Sequence, residues 1–110
     1  GVILPDISQA SRWNYSYFPV RFQETHGNAR EKIASALNRI GVFPRRYFYP
    51  LISNYQYYRS SHKSHSSETP VADMVAKEVL CLPIYPSLDL EQVKLVCESI
   101  QKSVRDIYCS

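Results

Sequence analysis

Apolar and polar positions alternate over residues 14–22, with Phe18, Val20 and Phe22 on one side and Tyr15 and Tyr17 on the other. That is the period of a strand half buried in a sheet. Pro19 cannot donate to a strand ladder, so an edge position or a bulge is expected there. Residues 1–13 hold no sustained period and read as a linker or lead-in. Asn28 followed three positions later by Glu31 predicts a helix start, each side chain satisfying an amide that the first turn leaves unpaired. Ile33, Leu37 and Ile40 then form one apolar stripe, and Gly41 is suited to the left-handed cap that ends it.

Residues 42–49 resume a strand pattern, bounded by Pro44 and Pro50, with Arg45, Tyr47 and Tyr49 on one face and Arg46 and Phe48 on the other. Residues 51–58 are aromatic and predict a short helix or turn. Residues 59–68 contain no hydrophobic side chain and predict a surface loop. Thr69 and Pro70 supply an N-cap and a first-turn proline for a second amphipathic helix carrying Val71, Met74, Val75 and Val79. A short strand over 81–85 ends at Pro86. Asp89 with Gln92 opens the last helix, where Leu90, Val93, Val96, Cys97, Ile100, Val104 and Ile107 hold one face for about five turns. Opposite them Glu91, Lys94, Glu98 and Lys102 make a solvated face. The order strand, helix, strand, loop, helix, strand, helix predicts an α+β domain over 14–110, a small, mainly antiparallel sheet of about three strands with helices packed on it.

Length and composition agree with one such domain. The chain has 110 residues, 45% of them hydrophobic and 21% charged, which suffices for a single core. No apolar run approaches the roughly 20 residues that a membrane helix needs. Gly1 in place of an initiator methionine is expected of a trimmed or excised chain, and the start carries neither a basic leader nor an apolar stretch of signal length. Cys81, Cys97 and Cys109 are odd in number and widely spaced, which fits neither a disulfide framework nor zinc spacing. They read as reduced, in a cytoplasmic protein, with Cys81 and Cys97 filling the core.

Charge placement says more than the net value of +3. Between Val42 and Ser67 stand Arg45, Arg46, Arg59 and Lys63 and no acid, while the remainder holds nine basic and ten acidic residues. Half of the fourteen aromatics fall in the sixteen residues 43–58 of that same window. Guanidinium groups grip phosphate and rings stack on bases, so the run Arg45-Arg46-Tyr47-Phe48-Tyr49 suits a nucleotide-sugar or single-stranded nucleic acid. The plainer alternative is that the rings fill sheet faces and the arginines sit in water.

Catalytic inventories are less productive. His26, His62 and His65 fall in predicted loops, the serines lack a strand-to-helix elbow, and His62 with His65 lacks a third fixed metal ligand. Gly1, Gly27 and Gly41 are isolated, which excludes a glycine-rich phosphate cradle.

Three stretches together carry a resemblance: Trp13-Asn14-Tyr15-Ser16-Tyr17-Phe18-Pro19, Arg45-Arg46-Tyr47-Phe48-Tyr49-Pro50-Leu51 and Cys81-Leu82-Pro83-Ile84-Tyr85-Pro86-Ser87-Leu88. From about Trp13 to Ile100 the chain resembles, in order and spacing, the C-terminal part of the DegT/DnrJ/EryC1/StrS aminotransferases, the sugar-nucleotide transaminases. The version with Arg-Tyr-Phe-Tyr-Pro-Leu looks like enzymes that aminate 4-keto-6-deoxy sugars on a nucleotide carrier. The resemblance implies a fold-type I enzyme that uses pyridoxal phosphate (PLP), in which a large domain holds the cofactor and a small C-terminal domain covers the site. This chain looks like the small domain only.

The resemblance places the anchoring lysine, the acid at the ring nitrogen and the phosphate-binding residues in a large domain. Lys32, Lys63, Lys77, Lys94 and Lys102 fall on predicted helix surfaces or in the loop, without the surroundings of that lysine, and the ring works as an electron sink only when clasped. The chain is therefore expected to bind no PLP and to transaminate nothing alone, with the large domain and a nucleotide-sugar as partners of the full-length enzyme. A homo-oligomer is expected because one apolar face would be left uncovered. Many relatives carry His-Tyr-x-Pro-Leu-His near the sugar; here Tyr47 replaces the first His, Phe48 the Tyr and Ile52 the last His. By that correspondence Arg45, Tyr47 and Tyr49, with Arg46, are the candidate substrate-binding residues. The alternatives are a stand-alone module that binds a nucleotide-sugar or a protein partner without catalysis, and a single-strand nucleic-acid binder.

Overall fold

Cross-strand pairing explains which apolar residues are buried. A computed structural model describes residues 1–9, 12–24, 27–61 and 69–109. Strand β1 is Val2–Ile3, β2 is Phe18–Phe22 and β3 is Val79–Leu82, in an antiparallel sheet of order β1-β2-β3. Phe18 faces Leu82 and Val20 faces Leu80, so one sheet face is apolar on both strands. Helices α1 (Ala29–Arg39) and α4 (Leu90–Tyr108) cover it. Phe22, Ile33, Leu37 and Leu80 are fully buried there, with Val20 and Val96 beside them. A 3-10 turn (Ile52–Asn54), α2 (Gln56–Ser61) and α3 (Pro70–Glu78) complete the order. The α+β architecture is the expected one, and the aromatic stretch 51–58 does form a short turn and the start of a helix.

The third strand comes from an unexpected place. Residues 1–13, expected to be a lead-in, supply β1, in which Val2 and Ile3 pair with Phe22 and Arg21. Residues 42–49 form no strand: Arg45 makes one bridge to Cys81, its N–H donating to Cys81 O at 2.9 Å and its carbonyl accepting from Cys81 N at 2.7 Å. The chain then turns, Tyr49 N–H donating to Arg46 O at 3.1 Å. Pro44 and Pro50 bring no donors to a ladder, so the local pattern had nothing to propagate it. Pro19 lies in the middle strand, but β1 reaches only Arg21 and Phe22, so the Pro19 stretch is a free edge on that side.

Other expectations shift in detail. β2 begins at Phe18, because Asn14 to Tyr17 is irregular and Tyr15 adopts a left-handed φ of 56°. β3 begins at Val79, two residues early, because α3 runs directly into it without a loop. Asn28 caps α1 by position only, in a left-handed conformation and without a side-chain bond. Thr69 likewise makes no side-chain cap. Asp89 and Gln92 form the full reciprocal box expected of α4, Gln92 N–H donating to Asp89 at 2.8 Å and Asp89 N–H to Gln92 at 3.1 Å.

Gly41 takes the left-handed cap at φ 79°, although Ile40 of the expected stripe is exposed. The stripe expected on α3 divides: Val71 and Met74 are exposed, Val75 is half-buried and Val79, which opens β3, is buried, while Ala76 and Glu78 are the buried residues of the helix itself. Cys97, expected in the core, is exposed, whereas Cys81 is buried. Two ties close the far side: Arg21 donates to Glu78 through Nε at 3.1 Å and Nη2 at 2.7 Å, and the Tyr108 hydroxyl donates to Gln23 O at 2.8 Å. Of the expected loop 59–68, Arg59 to Ser61 belong to α2 and 62–68 lie outside the described residues, as does His26.

Candidate functional site

The turn from Arg45 to Pro50 leaves the outer edge of β3 and passes the start of α1. Arg45 is held by its backbone to Cys81, and its exposed side chain makes no ion pair with a described residue. Arg46 is paired with Oε2 of Glu31, in the first turn of α1. Oε1 of the same carboxylate accepts from Arg30 Nε at 3.0 Å and Nη2 at 2.7 Å. Arg30 is buried, its Nη1 donates to Ala76 O, and its guanidinium lies 4.7 Å from the centre of the Tyr49 ring. A cation against an aromatic face is favourable, the more so where water is excluded.

Tyr47 goes elsewhere. Its ring meets Tyr17 edge-on at 5.3 Å and Phe48 at 5.5 Å. Tyr47, Phe48 and Tyr49 all remain exposed. The expected division of faces, Arg45 with Tyr47 and Tyr49 against Arg46 with Phe48, therefore does not occur. A turn replaces the pleat, so Tyr49 and Arg46 join the start of α1 while Tyr47 joins Tyr17. Arg30 and Glu31 were not legible as part of this cluster. Glu31 was expected to cap its own helix, and nothing in the spacing marks Arg30 as buried.

Beneath the turn, burial pushes the Cys81 thiol above its ordinary pKa, partly offset by a backbone hydrogen bond from Tyr47. An elevated thiol is a poor nucleophile at neutral pH. What the turn offers chemically is a set of hydroxyl donors and guanidinium charge, suited to binding an anionic, hydroxylated ligand.

Among the hollows that the described residues line, two lie away from this turn. One, of about 620 Å³, is lined by Glu24, Asn54, Arg59, Asp73, Lys77 and Glu78 among others. The other, of about 250 Å³, is almost wholly apolar, between Phe18, Leu82, Ile84 and α4 residues Val93 and Val96. Among the described residues no three His, Cys, Asp or Glu side chains are placed to hold a metal ion, and no helix is long and apolar enough to cross a membrane.

Residues 2–101 match the model of the DegT/DnrJ/EryC1/StrS aminotransferase family. The chain belongs to that family. It is 41% identical over 80 residues to the dTDP-4-amino-4,6-dideoxy-D-glucose transaminase of Escherichia coli, covering 73% of this chain and 22% of that protein. The Shigella dysenteriae protein of the same name is 28% identical over 101 residues, covering 92% of this chain and 26% of its own length. UDP-2-acetamido-2-deoxy-3-oxo-D-glucuronate aminotransferase of Pseudomonas aeruginosa is 30% identical over 86 residues, 78% of this chain and 21% of that protein. The chain thus spans about a quarter of the length of the relatives it matches.

The fold is also found in Helicobacter pylori PseC, an aminotransferase involved in the biosynthesis of pseudoaminic acid. There the TM-score is 0.70 at 20% identity, over 82% of this chain and 24% of that one.

Members of this family depend on PLP, and the described residues do not fit that cofactor. Lys32, Lys77, Lys94 and Lys102 are all exposed, whereas an anchoring lysine needs a desolvated, enclosed setting. Lys63 lies outside the described residues. The hollow beside Lys77 sets Glu24, Asp73 and Glu78 against Arg59 and Lys77, an acidic excess that disfavours a phosphate.

Proposed function

We propose that this chain is the small C-terminal domain of a PLP-dependent transaminase that acts on a nucleotide-linked keto-deoxy sugar, and that it works only against a large domain that carries the cofactor. The observation that carries this reading is the 41% identity to the Escherichia coli transaminase, confined to 22% of that protein's length. In this reading the exposed turn meets the substrate: Arg45 and Arg46 face the diphosphate, and the hydroxyls of Tyr47 and Tyr49 face the sugar. The unpaired cysteines suit a reducing cytoplasm, and the exposed apolar residues of α3 suit an oligomer.

The test is a graft. The matching segment of the Escherichia coli enzyme is replaced by this chain and assayed on dTDP-4-amino-4,6-dideoxy-D-glucose with a 2-oxo acid to accept the amino group. Retained turnover supports the reading, and a folded, cofactor-loaded graft without turnover overturns it. In the active graft Tyr47→Phe raises KM for the sugar nucleotide; unchanged kinetics remove Tyr47 from the site. The 110-residue chain by itself gives no saturable, stoichiometric absorbance of lysine-bound cofactor. Tight nucleotide-sugar binding by the chain alone favours a free-standing module, and a salt-dependent shift with oligonucleotide favours a nucleic-acid binder.

A further inference from the structure

We infer that Arg30 and Glu31 are positioning residues for the substrate-facing turn, holding Arg46 and Tyr49 where they meet a phosphate-bearing sugar beside Arg45 and Tyr47. The inference rests on the proposed function for what the turn binds, but not for the geometry. Arg30 is one of two buried polar or charged residues among those described, and the links it makes run between three elements. Its Nη1 satisfies the carbonyl of Ala76, in the last turn of α3, where intrahelical donors run out and a cation is favoured. Its Nε and Nη2 both engage Glu31 Oε1, which anchors that oxygen and orders the side chain. The remaining oxygen, Oε2, is thereby aimed at Arg46.

An ion pair between two exposed long side chains is usually weak, because both must be ordered to form it. Here Glu31 is already ordered by a buried partner, so pairing costs only the freedom of Arg46. The same guanidinium lies against the Tyr49 ring, so one buried cation holds both flanks of the turn. Two guanidiniums share one carboxylate, which leaves surplus positive charge beside the exposed tyrosines and suits an anionic ligand. Arg45 has no ion-pair partner among the described residues and lies outside this network, so its charge adds to that of the positioned Arg46.

The experiment is Glu31→Gln, which keeps shape and removes charge. In the active graft, KM for the sugar nucleotide rises about tenfold with kcat changed less than about twofold, the pattern of lost binding without lost chemistry. In an Arg46→Gln background the further effect of Glu31→Gln falls below about twofold, because the two act through one contact. An unchanged KM, or an equal effect in both backgrounds, overturns the inference. In the full 110-residue chain, backbone amide resonances of Arg46 to Tyr49 move in Glu31→Gln while those of β2 and β3 stay. Unmoved turn resonances overturn the inference whether or not the graft is active, so an inactive unmutated graft counts against the proposed function alone.

Discussion

Phe22 and Phe48 have the same side chain and opposite fates. Phe22 is 0% exposed at the end of β2, and Phe48 is 70% exposed on the turn beyond β3. Both stand in alternating segments rich in aromatics, so local pattern does not separate them. The strand β2 has a partner on each side and two helices across its apolar face. The turn has one bridge and a proline at either end. Alternation buries a side chain only where a neighbouring strand holds the register, and where the ladder fails the same residues become surface. The buried segment serves stability, and the exposed one is free to serve recognition.

That contrast is broken most strongly at Phe22. Phe22→Ala, in a site with no access to water, lowers stability by about 3–5 kcal/mol, read as a fall in the urea midpoint. A smaller loss, of about 2 kcal/mol, follows Glu78→Ala, because the half-buried Arg21 loses its carboxylate partner. Asp89→Ala removes the α4 capping box and costs about 1 kcal/mol by the same measurement.

Alkali gives a weaker, graded effect with a definite sign. Burial raises the Cys81 thiol, and burial together with the nearby Glu78 and Glu24 charges raises the Tyr108 phenol, so the folded state holds these protons longer than the unfolded chain. Stability is therefore full below the unfolded thiol value of about 8.5, falls as pH rises through it, and falls again above about 10 as the unfolded tyrosine ionises. Urea midpoints measured from neutral pH upward show the two declines, and Cys81→Ala removes the first. The smallest effect belongs to Phe48→Ala, which shifts stability by no more than about 0.5 kcal/mol and so sharpens the contrast with Phe22. A loss near that of Phe22→Ala would show that the turn is part of the core.

Much of the fold was legible where short-range rules suffice. The Asp89–Gln92 box needs only its own four residues, and the Gly41 cap needs only a residue that tolerates positive φ. The apolar face of Phe18, Val20 and Phe22 follows from the pleat. The likeness to the sugar-nucleotide transaminases was also legible, because three ordered stretches carry it. Less legible was anything that depends on a distant partner. Val2 and Ile3 look like lead-in until Phe22 and Arg21 lie beside them, and Glu31 looks like a cap until Arg30 and Arg46 take both its oxygens.

The amino-acid order alone determined the α+β class, the helix ends with their own caps, the apolar face of β2, the part of the α4 face from Val96 through Ile100, Val104 and Ile107, though not Leu90, Val93 or Cys97, which are exposed, and the concentration of arginine and tyrosine in one window. Only the tertiary structure decided that residues 45–50 turn rather than pair, that Val71 and Met74 look outward, and that a buried Arg30 organises the turn. The physical reason is range. Caps and periods are satisfied within a few residues, whereas a strand's register, a buried charge and the exposed side of a helix are set by groups that chain folding brings in from far away.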